Sequence, residues 1–216
     1  MIPDSLFFIY LGVIFLAILG GAYKLRSKDT ASKILVALLC LTLASELIAH
    51  WAAIKYRNNM FVYHIFSPIQ LIVLGVYFDK VVGRLHKKRI ATTIGIVAAI
   101  AAVVNTAFFQ SLKTLNSNFL LLEGLIIMAL ALYAFQLILS DDKINIYRYG
   151  HFWMIVILIF FWSVTYTTWA LHSVLKVKKL FVMPLVTHLL WTVNVITYSA
   201  IGFVLLYFSG KRLANE

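Results

Sequence analysis

Long apolar runs separated by short polar segments dominate the pattern of this chain. Each run has about 20 residues, the length that an α-helix needs to cross the hydrocarbon core of a bilayer. The runs lack the alternation of barrel strands, and backbone groups in lipid must pair within their own segment, so each run is predicted to be a helix. The seven predicted spans are Ser5–Tyr23, Ile34–Ile54, Met60–Val82, Ile90–Gln110, Phe119–Leu139, His151–Leu175 and Phe181–Phe208.

Composition and short loops limit the architecture further. The chain is 62% apolar and 12% charged, whereas a soluble globular domain is about half apolar and about a quarter charged. The abundance of apolar and aromatic side chains also excludes a disordered chain. No linker rich in Ser, Gly or Pro breaks the sequence. Residues 1–216 are therefore predicted to form a single all-α domain, a seven-transmembrane-helix bundle.

The basic residues predict an orientation in the membrane. The chain has 19 Lys and Arg against 8 Asp and Glu, a net charge of +11. Of these 19, 13 lie in the first, third and fifth loops and in the C-terminal tail, which the positive-inside rule assigns to the cytoplasm. We therefore expect an N-terminus outside, a cytoplasmic C-terminus and a location in the bacterial inner membrane. Because the charges set topology, the expected partner is the lipid bilayer and not nucleic acid.

Polar side chains inside the predicted spans define the candidate site, because ionisable groups in lipid are costly and indicate function by default. Glu46 and Glu123 are its acidic members, and His50 follows Glu46 by one turn on the same helix face. The rise of an α-helix gives the polar positions of six spans similar, outward-biased depths. They predict an outward-facing pocket for a small molecule or ion, with ligand-binding residues Glu46, His50, His64, Gln70, Asn105, Glu123, His188 and Asn194.

The hypothesis gives these residues distinct roles. Glu46 and His50 form an ion- or proton-responsive pair, because imidazole titrates near neutral pH. His64, Gln70, His188 and Asn194 form hydrogen bonds with the ligand. Glu123 closes the site from the fifth span. A structural alternative stays open for each, in which the same side chains hydrogen-bond between helices without a ligand.

Catalytic motifs are missing from the sequence. The chain contains no HExxH, CxxC or GxSxG motif and no glycine-rich phosphate loop. No catalytic residue is assigned, no cofactor and no metal are expected, and the interpretation leans away from an enzyme. The seventh span has no lysine before Lys211, which excludes a retinal-type Schiff base.

Three classes of function stay open. The leading hypothesis is a transporter or a sensor that binds a small ligand in the polar pocket. A transporter needs no cytoplasmic domain, which favours transport slightly over sensing. The alternatives are a membrane-embedded lipid hydrolase that uses the same Glu and His residues, with or without a metal, and a structural subunit of a membrane complex. A protein partner or a homo-oligomer is compatible with each class.

Short motifs in and beside the spans carry a resemblance: Ser45-Glu46, Asn58-Asn59-Met60, Tyr63-His64, Ser67-Pro68-Ile69-Gln70 and Asn116-Ser117. They resemble uncharacterised small bacterial seven-helix proteins, which implies no activity. Ser45 and Trp51 have the same spacing as Ser163 and Trp169, which suggests a 3+1+3 repeat around the fourth span. Size, topology and repeat are distantly similar to the SWEET, PQ-loop and KDEL-receptor group, although Ile69 interrupts the Pro-Gln dipeptide.

Overall fold

The computed structural model describes residues 4–86, 88–142, 144–177 and 183–208. Within these ranges, seven helices are long and apolar enough to cross a membrane, which confirms the predicted number. The connections contain a one-turn helix and two 3-10 turns, Leu25–Ser27 and Ile146–Arg148. The α-helices are α1 (Asp4–Ala22), α2 (Thr30–Tyr56), α3 (Met60–Val81), α4 (Gly83–His86), α5 (Ile90–Phe108), α6 (Ser117–Leu139), α7 (Gly150–Val177) and α8 (Met183–Tyr207).

The start of α2 differs from the sequence prediction, which placed it at Ile34. The helix begins at Thr30 because Asp29 caps it. The Asp29 side chain accepts a hydrogen bond from the backbone N–H of Ser32 at 2.7 Å. This bond satisfies one of the free N–H groups of the first turn, so a polar segment that hydropathy leaves outside the span is helical.

The long helices pack in chain order and form a closed bundle. Each contacts the next long helix, and α1 contacts α8. Short connections make neighbours antiparallel, as expected. We call the end where α1 begins and α8 starts the N-terminal end of the bundle, and the end where α8 finishes the C-terminal end.

The third helix is the central one. It contacts α2, α5 and α6. Half of the residues in its apolar stretch of 18 are buried, against 22% in the corresponding stretches of α1 and α5. Leu71, Leu74, Tyr77 and Phe78 are fully or almost fully buried along its length. Large apolar side chains on the outer faces of the other helices are exposed, as expected for a surface in contact with lipid chains. Side chains from α3 can therefore reach the bundle interior.

Small residues allow two very close helix contacts. A Cβ atom added to Gly202 of α8 would lie 2.8 Å from the Cα of Ala17 in α1. A Cβ atom added to Gly75 of α3 would lie 2.6 Å from the carbonyl oxygen of Ala91 in α5. Helix pairs in membranes associate through such contacts, because lipid supplies no hydrophobic driving force between them.

Candidate functional site

Glu46 lies where three helices meet. Its Oε1 accepts a hydrogen bond from the Tyr10 hydroxyl of α1 at 3.3 Å, and its Oε2 accepts one from the Tyr63 hydroxyl of α3 at 3.4 Å. Both distances are long for O–H···O⁻ bonds, which are usually about 2.5–2.7 Å. The carboxylate is therefore held loosely and keeps capacity for a further donor.

His50 lies one turn from Glu46 but has different neighbours. Its ring stacks on the ring of Phe7, with the centroids 4.4 Å apart and the planes inclined by 18°. Glu46 and His50 form no ion pair with each other or with another described residue. The ion pair within the described part of the chain joins His151 and Asp29. The two residues share a helix face as predicted, but the structure does not join them as a pair.

A small cavity of about 30 Å³ lies near mid-height between α2, α3, α7 and α8. Its polar wall includes Gln70, one of the predicted ligand-binding residues. Thr42 is one turn from Glu46 on α2, and Tyr198 has its ring centroid 5.8 Å from that of Tyr10. The cavity and the Glu46 group are therefore adjacent. The polar or aromatic lining residues are Thr42, Gln70, Phe161, Trp162, Thr197 and Tyr198.

Two residues of this wall carry buried polar atoms with no hydrogen-bond partner among the described residues. They are the indole Nε1 of Trp162 and the hydroxyl of Thr197. Leaving such a group buried and unpaired costs about 1–3 kcal/mol. The cavity beside these residues has room for about one water molecule.

A second, smaller cavity of about 10 Å³ continues the first one towards the C-terminal end. Leu35 and Met154 line both cavities, so the two cavities adjoin at these apolar side chains. Ser32 and His151 supply polar atoms to the smaller cavity. The two cavities form a line between α2, α7 and α8, with Glu46 beyond one end and His151 at the other.

His151 is buried at the first turn of α7 and has two side-chain partners. Its Nε2 lies 2.6 Å from Oδ2 of Asp29, and its Nδ1 lies 3.3 Å from the hydroxyl of Tyr77. Burial raises the pKa of Asp29, but hydrogen bonds from His151 and Ser32 and the charge of His151 outweigh it, so that pKa lies below its ordinary value. Asp29 and His151 are not among the residues that the sequence predicts for the site. Asp29 precedes the polar segment 30–33, so hydropathy assigns it to the loop and gives no sign of its contact with α7.

Lys28 lies beside this group. Its Nζ donates a hydrogen bond to the backbone carbonyl of Leu205, near the end of α8. Partial burial lowers the pKa of Lys28, and the nearby Asp29 charge opposes that effect. The segment between α1 and α2 therefore contacts both α7 and α8 at the C-terminal end.

His64 is buried and bridges helices away from the cavities. Its Nδ1 lies 2.8 Å from the Thr106 hydroxyl of α5, and its Nε2 lies 2.9 Å from the carbonyl oxygen of Thr114. A carbonyl only accepts, so Nε2 carries the hydrogen and, in a neutral ring, Nδ1 accepts from Thr106. The structure thus gives His64 the bridging contacts of the structural alternative.

Asn105 belongs to an amide network that closes the connection between α5 and α6. Its Nδ2 donates to Gln110 and to Asn116, both at 2.9 Å, and its Oδ1 accepts from Asn118 at 3.2 Å. These contacts use both N–H groups of the Asn105 amide and one acceptor position of its oxygen. The structure shows it as part of the N-terminal end, not as a cavity residue.

The three remaining predicted residues are dispersed. Glu123 is completely buried in α6, and both of its carboxyl oxygens lack a hydrogen-bond partner within the described part of the chain. His188 is exposed near the start of α8. Asn194 donates to the Leu190 carbonyl of its own helix at 2.9 Å. Of the eight predicted residues, Gln70 lines the cavity, and Glu46 lies one turn from the lining residue Thr42. Ligand binding at these positions stays a prediction.

The described ranges contain no group of side chains suited to hold a metal ion. There, no three His, Cys, Asp or Glu side chains lie close enough together to hold a metal ion. Imidazole and carboxylate groups are the ligands that a zinc site in this chain would need. Five residues of the predicted site have that chemistry, and they have the separate surroundings given above: Glu46, His50, His64, Glu123 and His188.

The fold and its apolar surfaces define a class. Seven long apolar helices fit an integral, multi-pass membrane protein in a lipid environment. No protein family, curated protein or solved structure matches the chain. The resemblance to small bacterial seven-helix proteins therefore stays a prediction, and function has to be argued from the site itself.

Proposed function

We propose that the protein is a transporter that moves a small polar solute or ion along the line of cavities between α2, α7 and α8. The observation that carries this proposal is the alignment of the two cavities, which share Leu35 and Met154 in their walls. A purely structural bundle gains nothing from polar voids at mid-height, because each unpaired polar atom there costs stability.

The wall of the central cavity supports a polar ligand. Gln70 contributes an amide, and Trp162 and Thr197 contribute polar atoms that lack partners among the described residues. A few convergent polar groups in a mostly apolar wall are typical of a small-molecule site. The cavity has room for about one water molecule, so transport requires the helices to separate first on one side of the level of Leu35 and Met154 and then on the other.

Glu46 is the proposed charge-responsive residue. Its carboxylate has only the two tyrosine hydroxyls as hydrogen-bond partners in the described structure, and both bonds are long. A charged acidic side chain without a partner has a high free energy at this depth in the membrane. Binding a proton or a cation lowers that free energy. It lies between the N-terminal end and the central cavity, where an entering solute would meet it.

The proposed orientation places the N-terminal end outside. The basic side chains of the α1–α2 connection and Arg148 lie at the C-terminal end, which the positive-inside rule assigns to the cytoplasm. In this orientation, in the inner membrane of a bacterium, Glu46 faces the outer half of the path and Asp29 the inner half. The proposed 3+1+3 repeat is not needed for this path.

Proteoliposomes test the proposal with three probes: protons, followed with a trapped pH dye under an imposed gradient, and urea and glycerol, followed by vesicle swelling. We expect the wild-type protein to speed the movement of at least one probe over empty liposomes. Thr197→Val and Gln70→Leu should slow that movement several-fold, because each removes a polar group from the cavity wall. Glu46→Gln should slow it only if the moving species is charged.

Thr192→Val is the matched control, since Thr192 is exposed on the same helix as Thr197 and its hydroxyl donates to the His188 carbonyl of that helix. It should leave all rates unchanged. Wild-type protein that moves none of the three probes faster than empty liposomes would refute the proposal. Equal rates for Thr197→Val and Thr192→Val would exclude the central cavity as the path.

A further inference from the structure

A row of three titratable side chains leads from the bundle interior to the C-terminal end. Tyr77 is completely buried in α3, the His151 side chain is 5% exposed, and the Asp29 side chain is 27% exposed. Hydrogen-bond contacts of 3.3 Å and 2.6 Å join them in that order. The groups thus form a continuous polar connection between dry protein and the solvent side.

Each member of the row has the chemistry to pass a proton. A tyrosine hydroxyl donates or accepts, a carboxylate accepts, and imidazole accepts a proton at one nitrogen while it releases another from the opposite nitrogen. The contacts of His151 use both ring nitrogens, one towards Tyr77 and one towards Asp29. This arrangement differs from that of His64, whose Nε2 faces a backbone carbonyl that takes no proton.

His151 also lines the smaller cavity, together with Ser32 of α2. That cavity shares Leu35 and Met154 with the central one. A water molecule that passes these two side chains therefore arrives beside the His151 ring. The relay residues are positioned at the end of the proposed path and not on a separate face of the bundle.

We propose that Tyr77, His151 and Asp29 form a proton relay at the C-terminal end of the path, and that the proton is the ion that drives or follows the transported solute. The relay rests on the transporter proposed above, and it names the coupling ion.

The proton balance of one passage is closed. His151 accepts a proton at Nδ1 from the Tyr77 hydroxyl, which takes a replacement proton from water of the path, and the ring becomes an imidazolium ion. Its Nε2 proton moves to Oδ2 of Asp29, which becomes a carboxylic acid and then releases the proton to water at the C-terminal end. Rotation of the neutral side chain about its two single bonds then turns the protonated nitrogen towards Asp29 and the free nitrogen towards Tyr77. Proton transfer through hydrogen-bonded side chains of this kind needs heavy-atom contacts of about 2.6–3.2 Å, close to those seen here.

The surrounding charges are compatible with this step. From the α1–α2 connection, Lys28 lies next to Asp29 and bonds to the Leu205 carbonyl. The Tyr149 ring packs against His151 at a centroid distance of 5.4 Å. On the α8 side, the cavity wall near His151 is apolar and consists of Val204, Leu205 and Phe208. The titratable neighbours of His151 in the described structure are thus Asp29, Tyr77, Tyr149 and Lys28, and Asp29 is the acidic one.

The experiment measures proton flux and solute movement in the same proteoliposomes. We expect Asp29→Asn and His151→Gln to lower proton flux by at least about tenfold, the lower part of the range for losing a proton-transfer group. Tyr77→Phe should lower it less, because water can replace the phenol. Asn is as good a helix cap as Asp, so Asp29→Asn leaves the start of α2 intact.

Asp142→Asn and Tyr147→Phe are the matched controls, because both side chains are exposed at the same end of the bundle. They should keep wild-type flux. Asp29→Glu should restore part of the flux that Asp29→Asn loses, which a merely structural contact would not predict. Thermal unfolding of each variant identifies any that do not fold, and Tyr77→Phe then carries the test.

The outcomes separate the two proposals. Loss of proton flux in the relay variants supports the relay, and a parallel loss of urea or glycerol movement supports the proton as the coupling ion. Urea or glycerol movement that persists without proton flux overturns the coupling. Wild-type proton flux in Asp29→Asn and His151→Gln overturns the relay and leaves the transporter proposal standing. Wild-type protein that moves urea or glycerol but no protons also overturns the relay. Protein that moves none of the probes overturns both.

Discussion

Asp79 and Thr92 are joined twice, once through backbone and once through side chain. Oδ2 of Asp79 accepts a hydrogen bond from the backbone N–H of Thr92 at 3.0 Å and another from the Thr92 hydroxyl. Oδ1 accepts from the backbone N–H of Ala91, also at 3.0 Å. A buried carboxylate near the end of α3 therefore caps the first turn of α5, where free N–H groups and the helix dipole favour an anion.

We expect Asp79→Ala to destabilise the protein by about 2–4 kcal/mol, because it leaves two backbone N–H groups and one hydroxyl buried without an acceptor. Asp79→Asn should cost less, since it keeps one acceptor oxygen. The free energy of unfolding in mixed detergent and denaturant measures both. Asp142→Ala, at an exposed position of the α6–α7 connection, is the control and should stay within about 0.5 kcal/mol of wild type. An equal cost for Asp79→Ala and Asp142→Ala would contradict the capping role.

The Asp29–His151 contact predicts a pH dependence of stability. The pKa of Asp29 is lower in the folded protein than its ordinary value near 3.8, so the unfolded state binds more protons as pH falls through that range. The stabilisation is present at neutral pH and is lost as pH falls below about 4. We expect Asp29→Asn to melt below wild type at neutral pH, and the gap to narrow on acidification.

Tryptophan fluorescence during heating, at pH values from about 7 down to about 3, measures this gap. Other carboxylates titrate in the same range, so the difference between the two proteins is the informative quantity. Asp142→Asn should follow the wild-type curve. A gap that widens on acidification would mean that the Asp29 carboxylate does not stabilise the fold.

The contact between α1 and α8 predicts an asymmetry between two glycines. Gly202→Ala places a methyl group 2.8 Å from the Cα of Ala17, so the helices must move apart. We expect a loss of about 1–3 kcal/mol, the usual cost of overpacking. An added Cβ at Gly12 of α1 would have no atom of the described residues within 4 Å, so Gly12→Ala should be neutral or stabilising by up to about 1 kcal/mol. Unfolding in detergent compares the two, and similar effects of both substitutions would contradict the close packing.

The helices were predictable because hydropathy over about 20 residues is a local property of the chain. The start of α2 was not, since Asp29 is polar and hydropathy does not register its capping bond. The same limit applied to the site. The spacing of Glu46 and His50 placed them on one face, but their partners Tyr10 and Phe7 come from α1, which spacing cannot reveal.

Similar depth in the membrane did not show which polar side chains lie close together. His64 and Gln70 both lie on α3, six residues apart, yet His64 bonds to α5 and the following loop while Gln70 faces the cavity between α2, α7 and α8. Six residues are about one and two-thirds turns, which puts the two side chains on different faces. Asp29, Asp79 and His151 were missed as a group because they stand at span ends, where a charge is normally assigned to the loop.

Glu123 is a buried residue whose carboxyl group is expected to destabilise the fold. Its carboxyl group is completely buried, and neither oxygen has a hydrogen-bond partner among the residues that the structure describes. Burying a polar group without a partner is costly, whereas an apolar side chain of similar size is not. We expect Glu123→Met to stabilise the protein by at least about 1 kcal/mol, as measured by unfolding in detergent.

The same variant tests why the chain keeps this residue. Retaining a destabilising polar group is expected where activity requires it, so Glu123→Met should raise stability and lower transport together. Leu122→Met, at the exposed neighbouring position of α6, is the control and should change neither. If Glu123→Met destabilises the protein by more than Leu122→Met does, the Glu123 oxygens have partners in the membrane, such as buried water. If it stabilises the protein and transport is unchanged, Glu123 has no place in the transport site.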